Sequence, residues 1–466
     1  MMISRVLVLT VTAAAAVVAV AAPPVSARPA AIDWQPCAAT GEAATAGCAT
    51  LELPIDWTEP AAGTFGFRIA RRTATDPSAR VGTLIFGPGG PGDSGVSRVS
   101  TGQSRFSEEL RRRFDIVSFD PRGVGASHPI TCPDGPPLPA APAVLTGQAD
   151  FDRTLKGNRE LWKECRRLTG PLFDHADSAS TVRDLDALRA ALGERTLTFH
   201  GSSYGTLLGE LYAERYPGRV RAIVLESAVD HSQRTDGFLR TQAWALQDSF
   251  DAFVAWCTPQ QQACVLRGED IRAVWAEVWG EAERGELNLP PYQLVANVHK
   301  QLARADYPGL AGFIDTMRDG GAGDTQRLSP VLAVFCADWA LPVRDYGEYR
   351  RLLDRAEAQA PDLRYPAGVF ALSACLGWPQ PVANPQHRLR AHTRTPLLLI
   401  NSRHDPASGY NWATEVARQL GRSGVLLSYA GAGHGSYNSS DCMTRAVDAY
   451  LISLTVPARG TVCPAA

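Results

Sequence analysis

The chain has 466 residues, of which 45% are hydrophobic and 20% charged, and its formal net charge is −2 at pH 7. Such a composition is that of an ordinary globular protein, and so small a charge gives no electrostatic basis for binding nucleic acid or an anionic membrane. The length suits two or three average domains, or one α/β core carrying an inserted subdomain.

In chain order, Arg5 precedes an apolar stretch over residues 6–22, followed by the small residues Val25-Ser26-Ala27. This pattern predicts a secretory signal over residues 1–27 with cleavage after Ala27. The alternative is an N-terminal membrane anchor, because the run approaches the minimum spanning length. No later segment is apolar enough to span, so the mature protein is expected to be secreted and extracellular. The ten cysteines all follow this segment, and an even number in an exported chain predicts disulfides. Counting does not fix their connectivity; the simplest pairing joins sequence neighbours as 37–48, 132–165, 257–264, 336–375 and 442–463.

Residues 28–50 read as a polar lead-in, and 51–73 as strand-like pieces around Trp57 and Phe65-Gly66-Phe67. Thr83-Leu84-Ile85-Phe86 is the first strongly buried strand and runs into Gly87-Pro88-Gly89-Gly90-Pro91-Gly92. The Arg111-Arg112-Arg113 run reads as a solvated helix end. Phe114-Asp115-Ile116-Val117-Ser118-Phe119 is the next strand, broken by Asp120-Pro121-Arg122-Gly123, and 131–147 is a proline-rich loop. Ser180 can cap a helix continuing through Val182, Leu185, Leu188 and Leu192 to Gly193. Thr196-Leu197-Thr198-Phe199-His200 is a further strand, 206–216 a helix stopped by Pro217-Gly218, and 220–225 another strand. Residues 231–370 are helix-rich, contain five tryptophans (244, 256, 275, 279 and 339) and show no comparable buried strand. The strand pattern returns at 396–400 and 425–429, and an amphipathic helix carrying Met443, Val447, Tyr450, Leu451 and Leu454 closes the chain.

Continuous apolar strands alternating with amphipathic helices predict a mostly parallel sheet covered on both faces. The expected organisation is an α/β core in two parts, 28–230 and 371–466, interrupted by a helical lid over 231–370.

Gly201-Ser202-Ser203-Tyr204-Gly205 joins a strand to a helix, the setting of a nucleophile elbow. In it the central serine stands at the carboxyl edge of the sheet above a helix N-terminus. The plainer alternative is a Gly/Ser-rich turn without chemistry. A serine needs a base, usually a histidine oriented by a carboxylate, and in α/β-hydrolases the chain order is Ser, acid, His. The last two strands lead into Ser402-Arg403-His404-Asp405-Pro406 and Ala430-Gly431-Ala432-Gly433-His434-Gly435. Ser203 is therefore the expected nucleophile, His434 the base and Asp405 the acid. Less exclusive than the other two, Asp405 has His404 beside it, and Glu226 also ends a core strand. The oxyanion donors are expected to be the backbone N–H groups of Tyr204 and Gly90, with Gly89 the alternative. A phosphate-binding loop is disfavoured because no G-K-[ST] follows.

With these motifs in hand, the chain resembles the secreted actinobacterial tripeptidyl aminopeptidases, α/β-hydrolase serine peptidases related to the prolyl aminopeptidases. The resemblance covers nearly the whole mature chain. It is carried by residues 87–92, Phe119-Asp120-Pro121-Arg122-Gly123-Val124-Gly125, Arg183-Asp184-Leu185-Asp186, the segment 201–206, Cys375-Leu376-Gly377-Trp378-Pro379, residues 402–406 and the tail with Cys442 and Cys463. It implies the α/β-hydrolase fold and the same roles for Ser203, Asp405 and His434. Where prolyl aminopeptidases carry a histidine this chain has Pro88, a departure that weakens a strictly prolyl specificity.

An aminopeptidase must hold a protonated α-amine, which calls for a carboxylate near the cleft. Glu226 is one candidate; its alternative role is a structural salt bridge to an arginine, and acids of the insertion are equally open. The implied partners are peptides with free N-termini, with no metal or organic cofactor. The competing functions are a carboxylic ester hydrolase on the same scaffold and a non-catalytic binding protein.

Overall fold

The computed structural model describes residues 32–102, 105–133, 144–324, 332–366 and 368–466. The expected signal segment and residues 134–143 of the proline-rich loop lie outside the described residues. Among the described residues ten strands form one sheet: β1 (Gln35–Pro36), β2 (Gly47–Pro54), β3 (Thr64–Arg72), β4 (Gly82–Gly87), β5 (Phe114–Phe119), β6 (Leu197–Ser202), β7 (Val220–Glu226), β8 (Leu397–His404), β9 (Gly424–Ala432) and β10 (Val462–Cys463). Their spatial order is β1-β2-β3-β5-β4-β6-β7-β8-β9-β10. The pairs from β5 through β10 are parallel, while β1, β2 and β3 run antiparallel at one end.

The helices between the early strands are α1 (Gly95–Ser100), α2 (Glu108–Arg113), α3 (Gln148–Thr169), α4 (Ser178–Ala191) and α5 (Gly205–Arg215). Between β7 and β8 the described residues form only helices: α6 (Thr235–Trp256), α7 (Ile271–Glu283), α8 (Pro291–Ala303), α9 (Tyr307–Arg318), α10 (Leu332–Asp338), α11 (Tyr346–Glu357) and α12 (Gly368–Cys375). Then α13 (Tyr410–Leu420) joins β8 to β9, and α14 (Asp441–Ser453) follows β9.

The continuous apolar runs exist because both faces of the sheet are covered. Ile85, Val117, Phe199, Ile223 and Leu399 pack on one face with α4, α5 and α13. Their alternating neighbours Leu84, Ile116, Val224, Leu398 and Ile400 pack on the other with α1, α2 and α14. The helical segment is itself divided: α10 and α12 join the main core, whereas α7, α8 and α9 close a separate cluster with the second half of α6. Trp275, Trp279 and Trp339 are buried packing residues, while Trp244 is exposed.

One helix start differs from expectation. Asp177, not Ser180, caps α4: its carboxylate accepts the backbone N–H of Ser180, which lies within the first turn. Both residue types can cap, and the earlier one wins because the chain turns at Asp177 in an extended conformation. All five disulfides join sequence neighbours, as the simplest pairing has it.

Two of the sequence motifs meet in a buried ion pair. Arg122, fully buried, donates from Nε and Nη2 to both oxygens of Asp184 at 2.7 and 2.6 Å. Its other protons go to the carbonyls of Ile55, His175 and Pro54, and Trp57 Nε1 also donates to Asp184. The pair ties the end of β2, the loop after β5 and α4 together. Removing one partner strands a buried charge, so Asp184→Ala is expected to lower stability by about 3–5 kcal/mol. Urea denaturation with the wild type as reference checks this, and an unchanged midpoint contradicts it.

Candidate active site

β6 ends at Ser202, and α5 begins at Gly205, so two residues must reverse the chain. Ser203 is left at φ 55°, a left-handed conformation that a non-glycine residue adopts only when its surroundings enforce it. Its backbone N–H is held by the carbonyl of Glu226 on β7 at 2.8 Å. The flanking glycines are steric necessities. A Cβ on Gly201 would lie 2.4 Å from the Gly205 carbonyl oxygen, and one on Gly205 would lie 2.4 Å from that of Gly87. Tyr204 stands at the N-terminus of α5. The glycine-rich loop after β4 passes against the serine: a Cβ on Gly89 would come within 3.1 Å of Ser203 Cβ and 3.7 Å of its Oγ. Gly90 follows at φ 106°.

Asp405 emerges directly from β8 and His434 two residues after β9, so adjacent parallel strands bring the two side chains together. His434 Nδ1 lies 3.0 Å from each Asp405 oxygen. Asp405 is 1% exposed, and its remaining acceptor capacity is filled by the N–H groups of Ala407 and Ser408 and by Ser227 Oγ at 2.7 Å. That carboxylate is thus fixed in place, which orients the imidazole. Burial alone would lower the pKa of His434, but the charge and hydrogen bond of Asp405 outweigh it and raise the group above 6.5. Positive φ at Gly433 and Gly435 lets the histidine loop turn over the strand ends. The His434 N–H donates to the Ala303 carbonyl at the end of α8, so the helical insertion touches this loop directly.

Beside Asp405, His404 is engaged elsewhere, its Nδ1 lying 2.8 Å from Asp248 Oδ2 on α6. Glu226 is fully buried with its carboxylate saturated from within the protein. It pairs with Arg105 Nη2, lies 2.9 Å from His200 Nε2, and accepts the N–H groups of Ser436 and Tyr437 at 2.8 and 2.9 Å. Burial would raise its pKa, yet the Arg105 charge and the hydrogen bonds hold it well below the usual carboxylate range. Burial lowers the pKa of His200 against the opposing pull of Glu226. Of the two roles open to Glu226, the structure shows the salt bridge to an arginine, and both carboxylate oxygens are engaged by Arg105, His200 and the N–H groups of Ser436 and Tyr437.

Four residues had no sequence signal. Arg105 also donates to Ser202 Oγ at 3.1 Å, and so braces the elbow from below. Ser227, at φ 57°, links Asp405 to the Gly435 N–H. His299 on α8 lies near His434, and burial together with that neighbour lowers it to about 4. Asp338 at the end of α10 accepts the Tyr204 hydroxyl at 2.6 Å, and burial with the charge of Asp177 raises it to about 7. All are placed by tertiary contacts across more than 90 residues, and no spacing announces them. Among the described residues no cluster of His, Cys, Asp or Glu is arranged to hold a metal ion.

The sheet order and the strained serine turn are those of an α/β-hydrolase, and the chain has that fold. A family model described as "alpha/beta hydrolase fold" matches residues 82–282, and one described as "TAP-like protein" matches 367–463, together more than half of the chain. It is a serine hydrolase, tripeptidyl aminopeptidase-like in sequence. The chain is 29% identical over 492 residues to the Serine protease Hip1 of Mycobacterium tuberculosis, covering 93% of this chain and 91% of that protein. It is 28% identical over 468 residues to the Tripeptidyl aminopeptidase of Streptomyces lividans, covering 93% and 86%. It is also 29% identical over 475 residues to the Carboxylesterase B of M. tuberculosis, covering 92% and 89%. The resemblance drawn from the motifs is thus met by relatives along nearly the full length.

Proposed function

We propose that the protein is a secreted serine aminopeptidase that releases short peptides, of the tripeptidyl type, from free N-termini. The observation that carries this is the orienting contact of Asp405 on His434 at the same sheet edge as the strained Ser203. In this reading His434 takes the Ser203 proton as Oγ attacks the scissile carbonyl, and the oxyanion is met by the N–H groups of Tyr204 and Gly90. His434 then protonates the leaving amine, and water, activated by the same imidazole, releases the acyl group. The apolar segment at residues 6–22 and the five disulfides support export.

The insertion acts as a lid that closes the cleft at one end, supported by its contact with the His434 loop through Ala303. With Glu226 committed to Arg105, the carboxylate that meets the substrate amine comes from the insertion, whose Asp248 already reaches His404 beside Asp405. Acetylating the N-terminus of a peptide anilide should then lower kcat/KM by about 100-fold or more, since an amine–carboxylate pair in a desolvated site is worth about 3 kcal/mol. Equal cleavage of free and blocked peptides, or internal cutting of a blocked unfolded protein at a comparable rate, sinks the exopeptidase reading. The second reading, a carboxylic ester hydrolase, is favoured by the relative named Carboxylesterase B. Simple esters turned over far faster than any free peptide would select it.

A further inference from the structure

We propose that Asp338 is a positioning residue for acyl transfer, which grips the phenol of Tyr204 and thereby holds the backbone N–H next to Ser203 in line with the oxyanion. The inference rests on the reading of Ser203 and Tyr204 given above. Asp338 ends α10, fully buried, and four donors converge on its carboxylate. Oδ2 accepts the hydroxyls of Tyr204 and Ser178, each at 2.6 Å. Oδ1 accepts the Ser178 backbone N–H at 2.8 Å and the Asn384 amide at 3.0 Å. A buried carboxylate is costly unless its lone pairs are filled, and here the filling groups come from three separate segments.

The joint is rigid on both sides. On one, α10 is cross-linked to α12 by Cys336–Cys375, two residues before Asp338, and His231 Nε2 lies 2.8 Å from the Asp338 carbonyl oxygen. On the other, Ser178 opens α4, which is capped by Asp177. Tyr204 has a planar side chain with two rotatable bonds, so fixing its hydroxyl leaves its Cα and the preceding peptide little freedom. Its ring packs beside Phe335, also from α10, at 6.2 Å between centroids. A phenylalanine at 204 would fill the same space; what the hydroxyl adds is a defined direction toward the insertion. Oxyanion stabilisation depends on donors pre-aimed at the developing charge, and a small rotation of one donor forfeits much of its effect.

The test compares wild type, Asp338→Asn, Tyr204→Phe and the double variant as full-length protein on p-nitrophenyl acetate. Active serines are titrated with a fluorophosphonate, so that rates refer to intact sites and a loss of folded protein does not count. Each single variant should lower kcat per active serine by about 10- to 100-fold with KM within about threefold, a part of the effect of deleting an oxyanion donor. The phosphonylation rate should fall by a similar factor. Because both changes break one joint, the double variant should be no slower than the slower single variant. Unchanged kcat per active serine in Tyr204→Phe, or losses that multiply in the double variant, overturns the proposal, and Tyr204→Phe decides should Asp338→Asn fail to fold. Should the wild type cleave this ester but no free peptide, the peptidase reading fails while Asp338 is still tested.

Discussion

Replacing Ser203 by alanine is expected to lower kcat by roughly a millionfold, the scale seen when the nucleophile of a serine hydrolase is removed. Folding should be unaffected, because alanine carries the same Cβ into the φ 55° turn and the N–H bond to Glu226 is retained. The neighbouring serine is the control. Ser202 ends β6, and its hydroxyl accepts one hydrogen bond from Arg105. Losing a single such bond is worth about 1 kcal/mol, so Ser202→Ala should keep activity within about tenfold. The measurement is turnover of peptide and ester substrates together with mass mapping of a fluorophosphonate adduct. An adduct on any serine but Ser203 rejects the assignment.

The second large effect is expected from Asp405→Asn, which should lower kcat by about 10⁴-fold by leaving His434 in the wrong tautomer and orientation. The pH profile carries an independent signature. Protonated imidazole cannot accept the Ser203 proton, so kcat/KM should fall as pH drops through the pKa of His434. That pKa is raised above 6.5, burial pulling it down and Asp405 overcoming the pull, so the acid limb should lie on the alkaline side of an ordinary histidine. In Asp405→Asn the main counterweight to burial is gone, leaving only the Glu226 charge to raise the group, and the limb should move to lower pH. Glu226→Gln instead breaks the buried pair with Arg105 and should act chiefly on stability. A nearly silent Asp405→Asn beside a severe loss per active site in Glu226→Gln would exchange the two roles.

The difference between those two acids shows how far local pattern reaches. Glu226 and Asp405 both sit at the carboxyl ends of core strands, so the spacing alone makes each a candidate. What separates them is the company each keeps. The segment before α2 swings Arg105 under Glu226 from 121 residues away, and His200 closes on it from β6. Asp405 instead faces the neighbouring strand's loop and meets His434. The disulfides illustrate the opposite case. All five close between sequence neighbours, where loop-closure entropy is smallest and the nearest partner needs no knowledge of the fold.

By itself the sequence determined what is encoded over one strand, one turn and one helix. The glycines around Ser203 mark a turn too tight for side chains, the apolar runs mark strands covered on both faces, and the loss of that pattern near residue 230 marks the insertion. The order of Ser203, Asp405 and His434 follows because each lies within a few residues of a recognisable strand end. The tertiary structure alone decided the buried partners: Arg105 for Glu226, Ser227 for Asp405, Ala303 for the His434 loop and Asp338 for Tyr204. Each of these contacts joins residues more than a hundred positions apart. Their energy depends on burial and hydrogen-bond geometry that exist only once the sheet and the insertion have packed together.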